Sequence, residues 1–262
     1  MKIIVCIKQV PNTNEIKIDP KTGTLIREGV PSIINPDDKN ALEEALKLKA
    51  ENGGTVTVIT MGPNQAETAL REALAMGADE AILLSDRAFA GADTLATSLT
   101  LASAINKLGS FDLIFCGRQA IDGDTAQVGA ELAEHLNLPQ VTYVQKIKSI
   151  EKDKILVERA MEDGYEVIEC KLPAVLTAVK ELNTPRYITM NGIVDAFRNK
   201  KPVVWGINDL EVDPEKVGLK GSPTQVKRTF TPPAKEPGRT ISGPPNESVK
   251  VLIKELQKRH IL

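Results

Sequence analysis

Apolar residues fall along this chain in two alternating rhythms. Lys2 to Ile7 is a short, nearly continuous apolar run, and Val56 to Ile59, Ala81 to Leu84 and Leu113 to Cys116 repeat it. Unbroken runs of that length predict parallel strands covered on both faces. Between them the apolar positions recur at helical spacing. Asn35-Pro36-Asp37-Asp38 supplies an N-cap, a proline at the first helical position and acids in the first turn. Leu42, Ala45, Leu46 and Lys49 then mark one face until Asn52-Gly53-Gly54 stops the helix. Further helices are predicted over Ala66 to Met76, ended by Gly77, over Asp93 to Leu108, ended by Gly109, and over Thr125 to Leu136. This βαβα order predicts an α/β fold: an open, mostly parallel sheet with helices on both faces and right-handed crossovers.

From Gln140 the rhythm changes. Val141 to Ile147, Ile155 to Arg159, Tyr165 to Lys171 and Ala174 to Val179 are strand-like with hairpin-length gaps, and Glu162-Asp163-Gly164 is a turn. They are expected to add antiparallel strands to one edge. After Pro202 to Ile207, the stretch Gly221 to Ser248 carries Pro223, Pro232, Pro233, Pro237, Pro244 and Pro245 with almost no apolar periodicity, too little to order itself. Ser248 to Arg259 then predicts an amphipathic helix with Val249, Leu252, Ile253 and Leu256 on one face. The expected division is an α/β domain over 1–200 and, over 201–262, an extended arm with a terminal helix anchored on the chain's own body or on a partner. No internal repeat is visible.

Composition narrows the function classes. The 262 residues are 42% hydrophobic and 26% charged, as in an ordinary water-soluble domain. Lys and Arg number 33 against 35 Asp and Glu, a net charge of −2, so no basic field collects nucleic acid or anionic lipid. Aromatics at 3%, with Trp205 the lone tryptophan, leave few stacking platforms for bases. Cys6, Cys116 and Cys170 are an odd number at wide spacing, which argues against disulfides and thiolate metal sites and for a reducing cytoplasm. His135 and His260 form no metal-binding pair. The apolar start is interrupted at Lys8, too early for a signal peptide, and no apolar run of about 18 residues follows, so neither export nor membrane insertion is expected.

In open α/β sheets ligands bind beyond the carboxyl ends of the strands. Four loops leave those ends: Gln9-Val10-Pro11-Asn12-Thr13, Met61-Gly62-Pro63-Asn64, Ser85 to Thr94, and Gly117-Arg118-Gln119-Ala120-Ile121-Asp122-Gly123-Asp124-Thr125. None is a G-x-G-x-x-G or a P-loop. The last is the most informative. Its glycines allow close backbone approach, Asp124 is placed to cap a helix from Thr125, and the amides of Ala126 and Gln127 with the Thr125 hydroxyl would face a phosphate. Asp122 would repel that phosphate unless it turned to ribose hydroxyls or a neighbouring amide. The same residues would also make a merely well-capped loop. In the Asp86 to Thr97 loop, Arg87 is a candidate phosphate or flavin partner, Gly91 a flexible point and Asp93 a cap, with Thr94 and Thr97 on adjacent turns. Cys6 and Cys116 have no basic neighbour in sequence to activate a thiolate and read as buried apolar residues.

With those residues in view, the chain resembles the β subunit of electron-transfer flavoproteins over essentially its whole length. The matching segments are Val5-Cys6-Ile7-Lys8-Gln9-Val10-Pro11, Asn35-Pro36-Asp37, Met61-Gly62-Pro63, Ala73 to Asp79, Gly117 to Asp124, Leu172-Pro173-Ala174-Val175 and Pro185-Arg186-Tyr187. The resemblance implies an adenine-nucleotide α-hydrolase-like fold. It also implies an AMP, or the ADP half of an FAD, held by Cys6, Pro11, Asn35, Pro36, Asp37, Asp38, Met61, Gly62 and the stretch from Gly117 through Thr125, Ala126 and Gln127 to Val128.

Conventional members carry structural AMP there, and bifurcating members carry a redox-active FAD. The loop Ser85 to Thr97 resembles the bifurcating type, in which it lies beside the flavin and helps receive NADH; an open, glycine-containing loop suits a hydride donor that must stack on a ring. The resemblance then implies that NADH reduces the FAD and that electrons divide between the FAD of an α subunit and ferredoxin or flavodoxin. The partner flavoenzyme would be an acyl-CoA dehydrogenase, an enoyl-CoA reductase or a lactate dehydrogenase. No catalytic side chain is expected in this chain, and Tyr187 to Ile193, with Met190, is a candidate docking loop. A non-redox nucleotide sensor of the same broad fold is the reading from another class.

Overall fold

The computed structural model describes residues 1–12, 31–227, 238 and 240–262. Thr13 of the first loop and residues 228–237 and 239 of the Pro-rich stretch lie outside the described residues. In chain order the elements are β1 (Lys2–Cys6), β2 (Gln9–Pro11), β3 (Ser32–Ile34), α1 (Pro36–Asn52), β4 (Thr55–Met61), α2 (Glu67–Met76), β5 (Glu80–Leu84), α3 (Thr94–Leu108), β6 (Leu113–Gly117) and α4 (Val128–His135). There follow β7 (Gln140–Ile150), β8 (Lys154–Met161), β9 (Gly164–Lys171), β10 (Ala174–Ala178), α5 (Met190–Arg198), β11 (Val203–Trp205) and α6 (Pro245–Lys258).

Nine strands form one sheet in the order β11-β5-β4-β1-β6-β10-β7-β8-β9, and β2 pairs with β3 in a small antiparallel sheet. The period-two alternation of β1 splits the core. Ile3, Val5 and Ile7 enter a cluster with Leu42 and Leu46 of α1 and Leu70 and Leu74 of α2. Ile4 and Cys6 enter the opposite cluster with Leu101 and Ile105 of α3 and Leu132 of α4. Each such large side chain contributes roughly 1.5–3 kcal/mol on burial, so the two covered faces carry the fold. The expected α/β architecture with helices on both faces is the one observed.

One expectation is corrected here. Of the four strands after Gln140, β7, β8 and β9 form an antiparallel ladder at one edge of the sheet, as expected. β10 enters the middle of the sheet parallel to β6 on one side and β7 on the other. All five of its residues are buried, the condition under which a parallel strand is stable. The edge on the other side is β11, parallel to β5. Two compact units are present, Met1–Lys227 and Arg228–Leu262. Within the second unit α6 buries none of its residues, and Val249, Leu252 and Ile253 are exposed.

Candidate functional site

Strand β1 lies between β4 and β6, so the chain builds outward to β5 and then returns to the other side of β1. That reversal opens a crevice at the carboxyl ends of β1 and β6, the place where open α/β sheets hold ligands. The exits of β1, β4, β5 and β6 rim this end of the sheet.

The β6 exit is held from beneath by α1. Asn35 is fully buried: its N–H donates to Lys8 O at 2.9 Å, its Nδ2 to Gln119 O at 2.8 Å, and its Oδ1 accepts from Ile121 N–H at 3.0 Å. Its side chain makes no cap bond to α1, so the expected N-cap is replaced by a cross-link between two strand exits, while Pro36 takes the first helical turn as read. Asp38 accepts from Lys8 N–H at 2.7 Å and Gly117 N–H at 3.0 Å. Arg118 donates its N–H to Ala178 O at 2.8 Å, and its guanidinium reaches Asp37 at 3.4 Å and the Tyr143 ring at 5.9 Å. Burial raises the Asp37 carboxyl above its ordinary value, and Arg118 works against it.

Asp122 turns to the Lys8 ammonium at 2.7 Å, which removes the repulsion a phosphate would otherwise meet. Gln119 Nε2 donates to Asp124, and Gly123 and Asp124 donate backbone N–H groups to Ala120 O. Asp124 therefore does not cap a helix, and α4 starts only at Val128 with no side-chain cap at Gln127. The cause is backbone conformation: Asp124 and Ala126 sit at φ 55 and 54, left-handed values that interrupt any helix from Thr125. Non-glycine residues held there are strained by about 1–3 kcal/mol each and cluster at ligand sites. Among the described residues the N–H groups of Thr125, Ala126 and Gln127 have no acceptor. Successive amides without an acceptor, beside left-handed backbone, are the feature from which anion-binding nests are built. Gly129, not singled out in the sequence, lets α4 pack on the sheet: a Cβ there would meet Thr177 at 2.6 Å and Cys116 at 3.5 Å.

Cys6 and Cys116 face each other in register on β1 and β6, both buried. A hydrogen bond donated by the Cys116 thiol to Cys6, together with burial, pushes that thiol well up, so it packs as a protonated apolar group. Met61 is half-buried at the β4 exit, Gly62 donates to Leu84 O at 3.0 Å, and Pro11 pairs with Ser32 between β2 and β3.

The β5 exit is held from above. Asp86 accepts from Ala88 N–H and Ile207 N–H, both at 3.0 Å, and those bonds lower its carboxyl below the ordinary range. Arg87 is exposed and forms no ion pair among the described residues. Asp93 caps α3 as read, with Ala96 N–H at 3.1 Å on Oδ1. Its Oδ2 accepts from Thr224 N–H at 3.0 Å and Oγ1 at 2.8 Å, and its own N–H donates to Ser222 Oγ at 2.8 Å. Thr94 Oγ1 donates to Glu131 on α4 at 3.0 Å, and Thr97 is half-buried one turn on. Gly91 does not face open space. Its φ is +74, a Cβ would lie 3.2 Å from Leu219, and Leu219 N–H donates to Ala90 O at 3.0 Å. The early part of the predicted arm, over 217–224, thus straps this loop.

Residues 22–205 match the electron transfer flavoprotein domain family. The chain belongs to the electron-transfer flavoprotein family. It is 61% identical over 262 residues, the whole of both chains, to the electron transfer flavoprotein subunit beta of Thermoanaerobacterium thermosaccharolyticum. It is 61% identical over 265 residues, again the whole of both, to the caffeyl-CoA reductase-Etf complex subunit CarD of Acetobacterium woodii. The acryloyl-CoA reductase electron transfer subunit gamma of Anaerotignum propionicum is 48% identical over 270 residues with full coverage of both chains. Among the described residues no helix is long and apolar enough to cross a membrane, and no group of His, Cys, Asp and Glu could hold a metal ion.

One other feature went unread in the sequence. Asn40, Glu43 and Glu44 of α1 are buried polar residues that bind Asn183 and Arg186, with Arg186 Nε on Glu43 at 2.8 Å and Asn183 Nδ2 on Glu44 at 2.8 Å. They fix the segment leading to Tyr187 and Met190, which are 95% and 75% exposed. Helical spacing alone could have flagged the three as a polar stripe facing the protein interior.

Proposed function

We propose that this chain is the nucleotide-bearing β subunit of a heterodimeric electron-transfer flavoprotein of the bifurcating subclass. The observation that carries the nucleotide assignment is the nest at 124–127, with its strained backbone and outward amides, at the reversal of the sheet. The donor set suits the pyrophosphate of FAD: amides from Thr125 to Gln127, a neutralised Asp122, and glycines at Gly117 and Gly123. FAD bound there would accept a hydride from NADH and give up its electrons singly. The loop from Asp86 to Thr97, carrying the exposed Arg87, is placed to hold the negative charge of flavin or dinucleotide.

The implied partners are an α subunit carrying a second FAD, ferredoxin or flavodoxin, and an acyl-CoA dehydrogenase or enoyl-CoA reductase, all in the cytoplasm. Support for the last comes from the relatives named for caffeyl-CoA and acryloyl-CoA reductases. The exposed apolar face of α6 is the surface offered to the α subunit, and Met190 with Tyr187 the surface offered to the flavoenzyme. A second reading, a conventional subunit with structural AMP, is favoured by one observation: Leu219 closes over Gly91, where an NADH-receiving loop should be open.

The test is a flavin count on the purified αβ complex followed by addition of NADH. Two flavins per heterodimer, rapidly bleached, support bifurcation. One flavin with AMP and no reaction with NADH returns the chain to the conventional class.

A further inference from the structure

Asp38 sits in the first turn of α1 directly beneath the crevice, and backbone N–H groups take both its oxygens. Lys8 follows the end of β1 and Gly117 is the last residue of β6, so one carboxylate joins two strands where they must diverge. The contact is tight: a Cβ on Gly117 would collide with Asp38 Oδ1 and with the backbone of Asp37 and Asp38.

We infer that Asp38 is a positioning residue for the nucleotide, whose ionised form clamps the ends of β1 and β6 at the spacing the ligand requires without touching the ligand. This rests on the crevice holding an adenine nucleotide, and holds for FAD and AMP alike. It departs from the resemblance, which placed Asp38 among the ligand-binding residues.

The argument is one of donors and acceptors. An ionised carboxylate offers only acceptors and suits two N–H groups. Protonated, it must aim an O–H at a backbone N–H that cannot accept it, and one arm of the clamp is lost. Burial pushes Asp38 up to about 7 against the pull of Asn35 and of the two backbone donors, and Asp37 adds repulsion. Because the folded value lies above the unfolded one, ionised Asp38 costs folding stability increasingly as pH rises from about 4 to about 7. Folding alone would favour an uncharged residue here; the clamp needs the charge.

The other charged and titratable groups around it leave the two donors undisturbed. Asp37, on the same turn, is paired with Arg118. Cys116 on β6 is held protonated beside Cys6 on β1. The Lys8 ammonium points away to Asp122.

The test titrates the nucleotide-stripped αβ complex with FAD and, in parallel, with AMP at about pH 6 and about pH 8, for wild type and Asp38→Asn, with Tm recorded at each pH. The wild-type apparent Kd should weaken about tenfold from the higher pH to the lower, as the binding-competent fraction falls. Asp38→Asn should bind weakly and equally at both, with a Tm at the higher pH no lower than wild type. Taking the difference between the two proteins cancels the titration of the AMP phosphate. Tight, pH-independent binding by Asp38→Asn overturns the inference. So does a wild-type affinity that strengthens as pH falls, since that sign belongs to a carboxylate facing the phosphates. The wild-type profile decides alone if the variant does not fold. Both nucleotides must show the same dependence; a preference for AMP at every pH sinks the FAD reading and leaves the clamp standing.

Discussion

The exits of β6 and β5 rim the same end of the sheet and are held in opposite ways. The β6 exit is gripped from below by buried polar side chains of the segment entering α1, Asn35 and Asp38, which spend their hydrogen bonds inward and leave the amides of 125–127 facing out. The β5 exit is gripped from above by residues 207–224, through Asp86, Asp93 and the Leu219 contact. A loop fixed from below keeps its outer surface free for a permanent ligand. One fixed from above can receive a ligand only where the strap leaves it uncovered, as at Arg87. On the proposed function, the first loop would retain the nucleotide and the second would control access to it.

The largest expected effect breaks the lower grip. Gly117→Val would force a side chain into Asp38 and the α1 backbone, costing about 3 kcal/mol by overpacking. Nucleotide content and Tm should fall together. Gly123→Val is the matched partner, because a Cβ there meets nothing within 4 Å. Stripped of nucleotide, its Tm should stay within about 2 °C of stripped wild type, at most about 1 kcal/mol, while the nucleotide content of the purified variant falls. Stoichiometric nucleotide in purified Gly123→Val would move the phosphates away from this loop.

Next comes Asn35→Ala. It leaves Ile121 N–H and Gln119 C=O without their partner; water reaches the half-exposed Ile121, so the total should be about 1–3 kcal/mol. Urea unfolding should show the loss in the midpoint with an unchanged slope. A midpoint equal to wild type would mean that the exits hold themselves.

How far each region was legible follows the distance over which its partners act. The runs in β1, β4, β5 and β6, Pro36 at the start of α1, the Asp93 cap and the Gly77 stop are local patterns, and each is where the sequence places it. Asn35 carried the pattern of a cap, yet a loop 84 residues away captured its side chain. Asp124 carried one too, but left-handed backbone on either side of Thr125 postponed the helix to Val128. The strap was hidden because Asp93 and Thr224 are 131 residues apart, and nothing in a Pro-rich stretch announces its anchor. The place of β10 was hidden for a similar reason: a short, mostly apolar run fits a buried parallel strand and an edge addition equally until its neighbours are known.

A smaller effect loosens the upper grip. Thr224→Val removes the hydroxyl from Asp93 but keeps the backbone bond and the α3 cap, so stability should drop by about 0.5–1.5 kcal/mol. Nucleotide content should be unchanged, and the rate of flavin bleaching by NADH should rise if the strap limits access. Gly91→Leu, by contrast, collides with Leu219 at a left-handed φ, so it disturbs the strap as well as the loop. An unchanged NADH rate in Thr224→Val would remove the strap from control of access.

The narrowest readout, a set of single amide shifts, separates the two grips by pH. Hydrogen bonds from Ala88 and Ile207 lower Asp86, and for Asp93 those from Ala96, Thr224 and Ser222 outweigh burial, its largest single influence, so it too is lowered. Asp38 is displaced the other way, to about 7. A depressed folded value contributes stability above the unfolded one, lost as pH falls through the folded value; a raised value works in the reverse sense. Between about pH 5 and about pH 8 only the lower grip should therefore titrate, and the upper grip only in acid below about 4. The amide proton shifts of Lys8 and Gly117 should move through the neutral range while those of Ala88, Ile207, Ala96 and Thr224 stay fixed. Below it the second group should move in turn. If all six amides titrated together in acid, Asp38 would be an ordinary carboxylate and the two loops would be held by the same chemistry after all.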